Sequence, residues 1–204
     1  VLPLKPGAGL SDLVTAGLPS VALRVPAHPV AHRLLAEFSG PVAAPSANPS
    51  GQISPTTAAH VLQGLSGKID AVIDGGPCPV GLESTIALSD GDQVAILRDG
   101  GVTREQIEAC LGQPVTEARH SDAPQSPGQL ASHYAPRAPV RLEAASASPG
   151  ERLLGFGSVD GAVLNLSLSG DLVEAASNLF HHLHALDAGG DAPIAVSPIP
   201  DHGL

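Results

Sequence analysis

The sequence predicts an α/β fold, because short apolar segments of strand length alternate along the chain with segments of helical spacing. Turns rich in glycine and proline separate these segments, and the 204 residues include 23 Gly and 20 Pro. The apolar fraction is 43% while aromatic residues make up only 2%, so the expected core is aliphatic. Periodicity is lost in the middle of the chain. This loss predicts two parts, residues 1–112 and 140–204, joined by a linker over residues 113–139.

Strands of the first part are predicted from apolar runs that end at Pro, Gly or Asp. They are expected at residues 20–25, 41–44, 71–74, 84–88 and 94–98, and residues 1–4 also have the character of a strand. The Ser-Asp-Gly-Asp turn of residues 89–92 favours a hairpin between the last two strands.

Three helices are predicted in the first part. Residues 28–39 carry apolar side chains at helical spacing and are followed by Gly40. A second helix is expected to begin with Ser54 as its N-cap and Pro55 at its first position. A third helix, ending near Leu111, is predicted from the capping-box pattern of Thr103 and Gln106.

The part after the linker also alternates between the two periodicities. Strands are predicted at residues 140–142, 152–156, 162–166 and 194–197, with a helix over residues 172–186. This pattern indicates a small second α/β domain.

The composition excludes several classes of protein. A formal charge of −10 argues against an extended nucleic-acid-binding surface, although one or two arginines could still hold a nucleotide. The two cysteines show no CxxC spacing, so neither a zinc site nor a disulfide framework is indicated. No apolar run reaches membrane-spanning length and no signal peptide opens the chain. We therefore expect a cytoplasmic protein without direct membrane contact.

The loop of residues 43–51 is the strongest local candidate for a binding site. It combines small hydroxyl and amide side chains, among them Ser46 and Asn48, with prolines and a glycine between a predicted strand and a helix start. Such a loop can present backbone N–H groups and hydroxyls to a phosphate or carboxylate. An ordinary polar turn would have the same composition. Ser46 lacks the GxSxG pattern of a serine nucleophile, so ligand binding is the better interpretation of this residue.

Two arginines at strand ends are further candidates. Arg24 precedes Pro26, and Arg98 precedes a Gly-Gly pair. Single cations in such positions commonly hold carboxylates or phosphates, but they also form surface ion pairs. The Glu83-Ser84-Thr85 segment offers two hydroxyls at a strand start.

Other patterns are better explained without a ligand. The glycine-rich turn of residues 155–161 lacks the spacing of a dinucleotide-binding loop, and residues 64–68 are typical of a helix C-terminus. The histidines on the predicted helices of residues 28–39 and 172–186 lack the further ligands of a metal site. No metal site and no covalent nucleophile are therefore predicted.

An ordered set of short motifs spans nearly the whole chain. The motifs are Val21-Ala22-Leu23-Arg24-Val25-Pro26, Ala44-Pro45-Ser46-Ala47-Asn48, Asp74-Gly75-Gly76-Pro77, Glu83-Ser84-Thr85-Ile86, Ile96-Leu97-Arg98 with Gly100-Gly101, Ser126-Pro127-Gly128, and His133-Tyr134-Ala135-Pro136. Together they resemble the L-threonylcarbamoyladenylate synthase family in its two-domain form. That form joins a YrdC-like twisted open α/β sheet domain through a long linker to a small Rossmann-like α/β domain.

The resemblance implies roles for individual residues. It implies contacts with ATP for Ser20, Ser46, Asn48, Ser54, Arg98, His133 and Tyr134, the last two by closure of the linker across the cleft. It implies contacts with threonine for Arg24, Ala44 and Ser84. Magnesium is expected to arrive with ATP, and neither a dedicated carboxylate site nor a tightly bound cofactor is expected.

The reaction implied by the resemblance joins L-threonine, bicarbonate and ATP to give threonylcarbamoyl-AMP and pyrophosphate. A separate tRNA threonylcarbamoyl transferase system would then use the product, and direct contact with tRNA is left open. The resemblance also implies that the catalytic domain begins upstream of Val1 and that a last helix follows Leu204, so we expect an internal piece of a longer protein.

Two other functions share this type of domain. A carbamoyl transferase of hydrogenase maturation would require further modules, and the Ser-Pro-Gly and His-Tyr-Ala-Pro motifs argue against it. A non-catalytic RNA-binding or ribosome-assembly module would require a basic concave face, for which ten Lys and Arg residues are few.

Overall fold

The fold is mixed α/β and is built on three small sheets and five helices within the residues that the structure, a computed structural model, describes: 1–91, 93–117 and 134–203. In chain order the elements are β1 (Leu2–Pro3), α1 (Asp12–Thr15), β2 (Ser20–Val21), α2 (Pro29–Phe38), α3 (Ala58–Leu65), β3 (Ile86–Asp90), β4 (Gln93–Arg98), α4 (Arg104–Leu111), β5 (Thr116–Glu117), β6 (Val140–Arg141), β7 (Arg152–Gly155), β8 (Leu164–Asn165), α5 (Leu172–Ala188) and β9 (Ile194–Val196).

The predicted hairpin is confirmed and forms the centre of the first domain. β3 and β4 pair antiparallel, with Ser89 opposite Val94 at the turn end and Ile86 opposite Arg98 at the open end. β5 continues this sheet parallel to β4, and the N–H of Ser89 donates to the carbonyl of Val1, which brings β1 alongside β3. Because the strands are antiparallel, the first residue of β3 and the last residue of β4 lie at the same edge.

The second domain is a parallel four-stranded sheet in the order β6-β9-β7-β8, packed against α5. Its core is aliphatic, as the composition predicts. Leu154 and Ile194 are completely buried, and Phe180 and Leu183 from α5 pack in the same cluster. Short runs of Leu, Ile and Val favour such strands because both faces of a parallel sheet are covered.

The two domains share part of their core. Ile53, from the loop before α3, is 3% exposed and belongs to the hydrophobic cluster of the second domain. Gly81 lies so close to α5 that a Cβ atom would come within 2.4 Å of the Ala176 carbonyl. The first domain therefore fits against α5 at both points, and the position of residues 51–57 depends on the second domain.

Several local predictions are confirmed. Residues 29–38 form α2, and α4 begins with the predicted capping box of Thr103 and Gln106. A helix over 172–186 was predicted, and α5 extends it to Ala188. None of the described helices has the length and apolar character needed to cross a lipid bilayer.

Other local predictions are wrong. Residues 41–44 and 71–74 are not strands, and of residues 20–25 only Ser20 and Val21 pair with a neighbour. Apolar character alone does not make a strand, because a strand also needs a partner for its backbone hydrogen bonds. In the opposite direction, β5 lies within the predicted linker and α1 was not predicted.

The start of α3 also differs from its prediction. Thr57, not Ser54, is the N-cap, and its hydroxyl accepts a hydrogen bond from the His60 N–H. The Ser54 hydroxyl instead donates to a carboxylate of the chain. Some predictions fall outside the described residues: the turn residue Asp92, and residues 118–133 of the predicted linker, which include the Ser-Pro-Gly motif at 126–128 and His133.

Candidate functional site

The open end of the β3–β4 hairpin brings Ser84 and Arg98 together. The guanidinium of Arg98 donates to the Ser84 carbonyl from Nη2 at 2.6 Å and from Nε at 3.1 Å. This contact follows from the antiparallel register, which places Arg98 opposite Ile86. Two predicted site residues from different strands thus occupy one edge of the sheet.

Arg24 reaches the same place from a distant part of the first domain. Its Nη2 donates to the Ser84 hydroxyl at 2.8 Å, and Arg98 Nη2 lies 3.4 Å from the same oxygen. Both arginines act as donors, so the Ser84 hydroxyl accepts from them and can direct its own proton to a ligand. Ser84 and Arg24 are exposed, so an anion could reach both.

Glu83 is the anionic centre of the cluster. Its Oε1 accepts a hydrogen bond from the Ser54 hydroxyl at 2.5 Å, and its Oε2 lies 3.7 Å from Arg98 Nη2. The side chains of Arg98 and Glu83 are 12% and 24% exposed, and Ser54 is 4% exposed. Glu83 therefore links the loop before α3 to the end of β4.

Tyr134 closes the cluster from the side of the second domain. Its hydroxyl accepts a hydrogen bond from Arg98 Nη1 at 2.9 Å, while its ring lies 6.0 Å from that of Phe180. The next N–H, that of Ala135, donates to the Gly51 carbonyl. Burial, and then the charge of Glu83, raise the pKa of the Tyr134 phenol. The phenol is therefore neutral at physiological pH.

The loop of residues 43–52 is closed by the Asn48 side chain. Asn48 Nδ2 donates to the carbonyls of Pro49 and Gln52, both at 3.0 Å. Asn48 Oδ1 is buried, and among the described residues it has no hydrogen-bond partner. Since a buried unpaired acceptor is costly, this oxygen is a candidate acceptor for a ligand N–H or O–H group.

The predicted site residues fall into two groups. Arg24, Ser84, Arg98 and Tyr134 contact one another directly, and Ser54 joins them through Glu83. Among the described residues, no hydrogen bond connects Ser20, Ala44 or Ser46 with this cluster; Ser20 lies in β2, and the other two are exposed in the loop.

A cavity of about 670 Å³ opens beside the cluster and is lined by Glu83, Arg98 and Tyr134, with residues 200–203 on its far side. This volume lies within the range of pockets that bind small molecules. Within the described ranges, no group of three or more His, Cys, Asp or Glu side chains is placed to hold a metal ion.

Glu83 was predicted only as part of a motif, and the glycines that contact its backbone were not predicted to have a role in the site. Gly101 donates its N–H to the Glu83 carbonyl, and a Cβ atom on Gly100 would lie 2.3 Å from that carbonyl oxygen. The Gly-Gly pair after Arg98 thus allows two backbone segments to touch. Glu83 and the Gly-Gly pair belong to two motifs of the same ordered set in the sequence, but the contact between these motifs depends on tertiary structure.

Three histidines meet where α3 faces α5. The rings of His60 and His184 are stacked with centroids 3.9 Å apart, and His181 lies 5.6 Å from His60. His184 Nε2 is 3.1 Å from the Ser54 carbonyl. Burial, followed by repulsion from His184 and His181, lowers the pKa of His60 to about 4. The α5 histidines were expected to be solvated or partly buried. His181 and His184 face His60 across the domain interface, whereas His182 Nε2 lies 3.1 Å from the Asn165 carbonyl within the second domain.

Two family models cover the chain almost end to end. The Sua5/YciO/YrdC model, described as "Telomere recombination", matches residues 1–100. The model described as "Threonylcarbamoyl-AMP synthase, C-terminal domain" matches residues 102–204.

Individual proteins are similar over comparable lengths. A threonylcarbamoyl-AMP synthase of Bacillus subtilis is 49% identical over 70% of this chain, and one of Pyrococcus abyssi is 36% identical over 94%. The chain spans 42% and 62% of the lengths of these two relatives.

Two solved structures of the Pyrococcus abyssi protein Sua5 have the same fold. The structure described as complexed with L-threonine matches 99% of this chain and 65% of its own, with a TM-score of 0.86 and 32% identity. A second structure, of a variant in which an adjacent His and Tyr are both replaced by alanine, matches with a TM-score of 0.85, 33% identity, and coverage of 100% and 64%.

Proposed function

Because the chain belongs to the threonylcarbamoyl-AMP synthase family, we propose that it takes part in the synthesis of threonylcarbamoyl-AMP and pyrophosphate from L-threonine, bicarbonate and ATP. The observation that carries the proposal is the convergence of Arg24 and Arg98 on Ser84. Two cations beside one hydroxyl form a site for a substrate that brings both a carboxylate and phosphates.

The threonine carboxylate would be bound by Arg24 and Ser84. Arg24 already donates to the Ser84 hydroxyl, so the hydroxyl proton is available for a carboxylate oxygen. Each hydrogen bond to a charged group contributes about 1.5–3 kcal/mol. The similar Pyrococcus abyssi structure is described as complexed with L-threonine, which supports this substrate. We assign Ala44 to the threonine side chain, for which it would be a small apolar neighbour.

ATP would lie across Arg98 and the loop before α3. We assign Arg98 to the phosphates, Ser54 and Asn48 to hydrogen bonds with the nucleotide, and Ser20 and Ser46 to the outer edge of the same site. His133 and Tyr134 would cover the nucleotide, an assignment supported by the choice of a His-Tyr pair for replacement in the variant structure. Tyr134 is the only tyrosine of the chain, so the matching pair is unambiguous.

Magnesium would accompany ATP. The described residues offer no group of carboxylates or histidines that could hold the ion alone, so the phosphates and water would supply most of its ligands. When bound, the ion would neutralise charge on the phosphates.

The chemistry we propose needs no covalent nucleophile. The amine of threonine forms a carbamate, from carbon dioxide with loss of a proton or from bicarbonate with loss of water. A carbamate oxygen then attacks the α-phosphorus of ATP, and the bond from that phosphorus to the bridging oxygen breaks as pyrophosphate leaves. The chain contributes positioning and charge stabilisation through Arg24 and Arg98. Closure by the segment around Tyr134 would exclude water from the mixed anhydride, which hydrolyses readily.

The product would be consumed by a tRNA threonylcarbamoyl transferase system in the cytoplasm. This first step handles only small molecules, so a chain with a net charge of −10 can carry it out without an extended tRNA-binding surface.

The experiment that tests the proposal is mass-spectrometric detection of threonylcarbamoyl-AMP after incubation with ATP, L-threonine, bicarbonate and magnesium. It is run on the 204-residue chain and on a form extended to the length of the relatives. Product from either form supports the synthase function, and product from the extended form alone assigns part of the ATP chemistry to the added segment. Two folded proteins that yield no product would overturn the proposal in favour of a binding module.

A further inference from the structure

The Glu83 carboxylate is held between two residues that we assign to ATP, and it uses a different oxygen for each. Oε1 accepts the Ser54 hydroxyl proton at 2.5 Å, and Oε2 faces the Arg98 guanidinium at 3.7 Å. Ser54 lies before α3, whereas Arg98 ends β4. The Glu83 carboxylate therefore contacts both residues and links the loop before α3 to the end of β4.

The backbone of Glu83 is also held by contacts with a neighbouring segment. Its carbonyl accepts the Gly101 N–H at 3.0 Å, and the close approach of Gly100 leaves no room for a side chain at that position. These contacts fix the backbone from which the Glu83 side chain extends. Its charge also reaches beyond Ser54 and Arg98, because it contributes to the raised pKa of Tyr134 and of Cys78, in each case after burial.

The hydrogen bond to Glu83 decides what Ser54 can do for a ligand. A serine hydroxyl has one proton, and here that proton is directed to Oε1. The Ser54 oxygen can therefore only accept hydrogen bonds from a ligand. Ionised phosphate oxygens are acceptors too, so they cannot pair with it. Ribose hydroxyls and the adenine amino group are donors and can.

We propose that Glu83 is a positioning residue that divides nucleotide recognition in two: it makes Ser54 an acceptor for the nucleoside, and its charge acts with the Ser84 carbonyl and the Tyr134 hydroxyl to hold Arg98 for the phosphates. The inference rests on the proposed function, since it takes ATP as the ligand of both residues.

The test separates the two halves of ATP by using adenosine and inorganic pyrophosphate as probes in isothermal titration calorimetry. Ser54→Ala is expected to weaken adenosine about tenfold, the loss of roughly one hydrogen bond, and to leave pyrophosphate unchanged. Arg98→Ala is expected to weaken pyrophosphate by at least about tenfold and to leave adenosine unchanged.

Variants at Glu83 then test the link. Glu83→Ala is expected to weaken both probes. In Glu83→Gln, an amide oxygen of the same shape can still accept from Ser54 while the charge facing Arg98 is lost. This variant should therefore retain adenosine binding and lose affinity for pyrophosphate. Glu37→Gln, at an exposed carboxylate on α2, is the matched control and should bind both probes like the wild type.

The outcomes distinguish this proposal from the function on which it rests. Wild-type protein that is folded but binds no ATP would overturn the proposed function together with this inference. Wild-type protein that binds ATP, with Glu83→Ala and Glu83→Gln binding both probes normally, would overturn the inference alone. A purely structural role of Glu83 would give a different result. Glu83→Gln would then lower the affinity for both probes equally or for neither, and the thermal melting temperature would fall in parallel with binding.

Discussion

The hydroxyl of Tyr134 accepts a hydrogen bond from the guanidinium of Arg98 at 2.9 Å, although the two residues are 36 positions apart in sequence. This bond joins the end of a strand in the first domain to the start of the second domain. The Tyr134 ring packs near Phe180 of α5, so the position of Arg98 is coupled to the packing of a helix that lies far along the chain.

Replacement of Arg98 by alanine should weaken ATP binding by about 10- to 100-fold and leave the fold intact. The reason is the loss of a charged, multiply hydrogen-bonded guanidinium, whose individual bonds are each worth about 1.5–3 kcal/mol. Arg98→Lys should recover little of this loss, because an ammonium group cannot reproduce the planar donor geometry. Binding is measured by calorimetry with Arg33→Ala, at an exposed position on α2, as the control. Unchanged affinity in Arg98→Ala would remove Arg98 from the site.

Tyr134 should report nucleotide binding through its own fluorescence. The chain has one tyrosine and no tryptophan, so its tyrosine emission comes from Tyr134 alone. We expect titration with ATP to change this emission saturably, because the nucleotide would alter the surroundings of the Arg98–Tyr134 hydrogen bond. Arg98→Ala should retain the emission and lose the response at the same ATP concentrations. A wild-type signal that is constant up to saturation by calorimetry would contradict the placement of Tyr134 over the nucleotide.

The same phenol should titrate above its ordinary pKa of about 10. Burial and the nearby Glu83 carboxylate both disfavour the phenolate, and these effects exceed the opposing influence of Arg98. Absorbance of the phenolate against pH measures this directly in a protein with a single tyrosine. In Glu83→Gln the midpoint should move down toward the ordinary value. A midpoint at or below about 10 in the wild type would contradict the burial of this hydroxyl.

Ile53→Ala should destabilise the protein by about 2–4 kcal/mol, even though residue 53 precedes the second domain by many positions. Ile53 is 3% exposed within the core cluster of that domain, so its truncation leaves a cavity there. Ile73→Ala is the matched control, since Ile73 is 64% exposed and its truncation should cost less than about 0.5 kcal/mol. Chemical denaturation measures the free energy of unfolding of both variants. Equal stability of the two would mean that Ile53 does not pack in the second domain.

Stability should decrease as the pH falls from about 6.5 toward 4, because the pKa of His60 is lowered to about 4 in the folded protein. In this interval the unfolded chain binds a proton at residue 60 and the folded chain does not, so acid favours unfolding. His184 and His182 have lowered pKa values for the same main reason, burial, and act in the same direction.

The measurement for this prediction is the free energy of unfolding at pH 7.5 and pH 5 for the wild type and for His60→Gln. The variant should lose less stability between the two pH values than the wild type. His202→Gln, at an exposed position, should behave like the wild type. The same pH dependence in all three proteins would mean that the pKa of His60 is not lowered in the folded protein.

Elements with strong local patterns were predictable from the sequence. The capping box of Thr103 and Gln106 identified the start of α4, and the polar turn between two apolar runs identified the β3–β4 hairpin. The site was accessible in part, because Arg24, Ser84 and Arg98 belong to motifs that could be read in order. The contact among these three side chains could not be predicted from the sequence, since it depends on the register of the hairpin and on the path of residues 20–25.

The errors share a physical cause. Residues 41–44 and 71–74 have the apolar composition of strands, but their backbone groups lack a paired strand in the described structure. Ser54 has the residue type of an N-cap, yet Glu83, 29 positions away, accepts its hydrogen bond. In each case the presence or absence of a partner distant in sequence determined which of two locally reasonable structures forms. No local pattern carries that information.

Ile53 gives the chain a way to be inhibited by a compound that binds outside the substrate site. Its side chain belongs to the core of the second domain, and the next residue along the chain is Ser54. A compound that displaced Ile53 from this core would therefore shift Ser54 while resembling none of the three substrates. By reciprocity, a nucleotide held at Ser54 would oppose entry of that compound by the same free energy. A screen for such molecules would look for ligands whose binding to the second domain weakens as ATP is added.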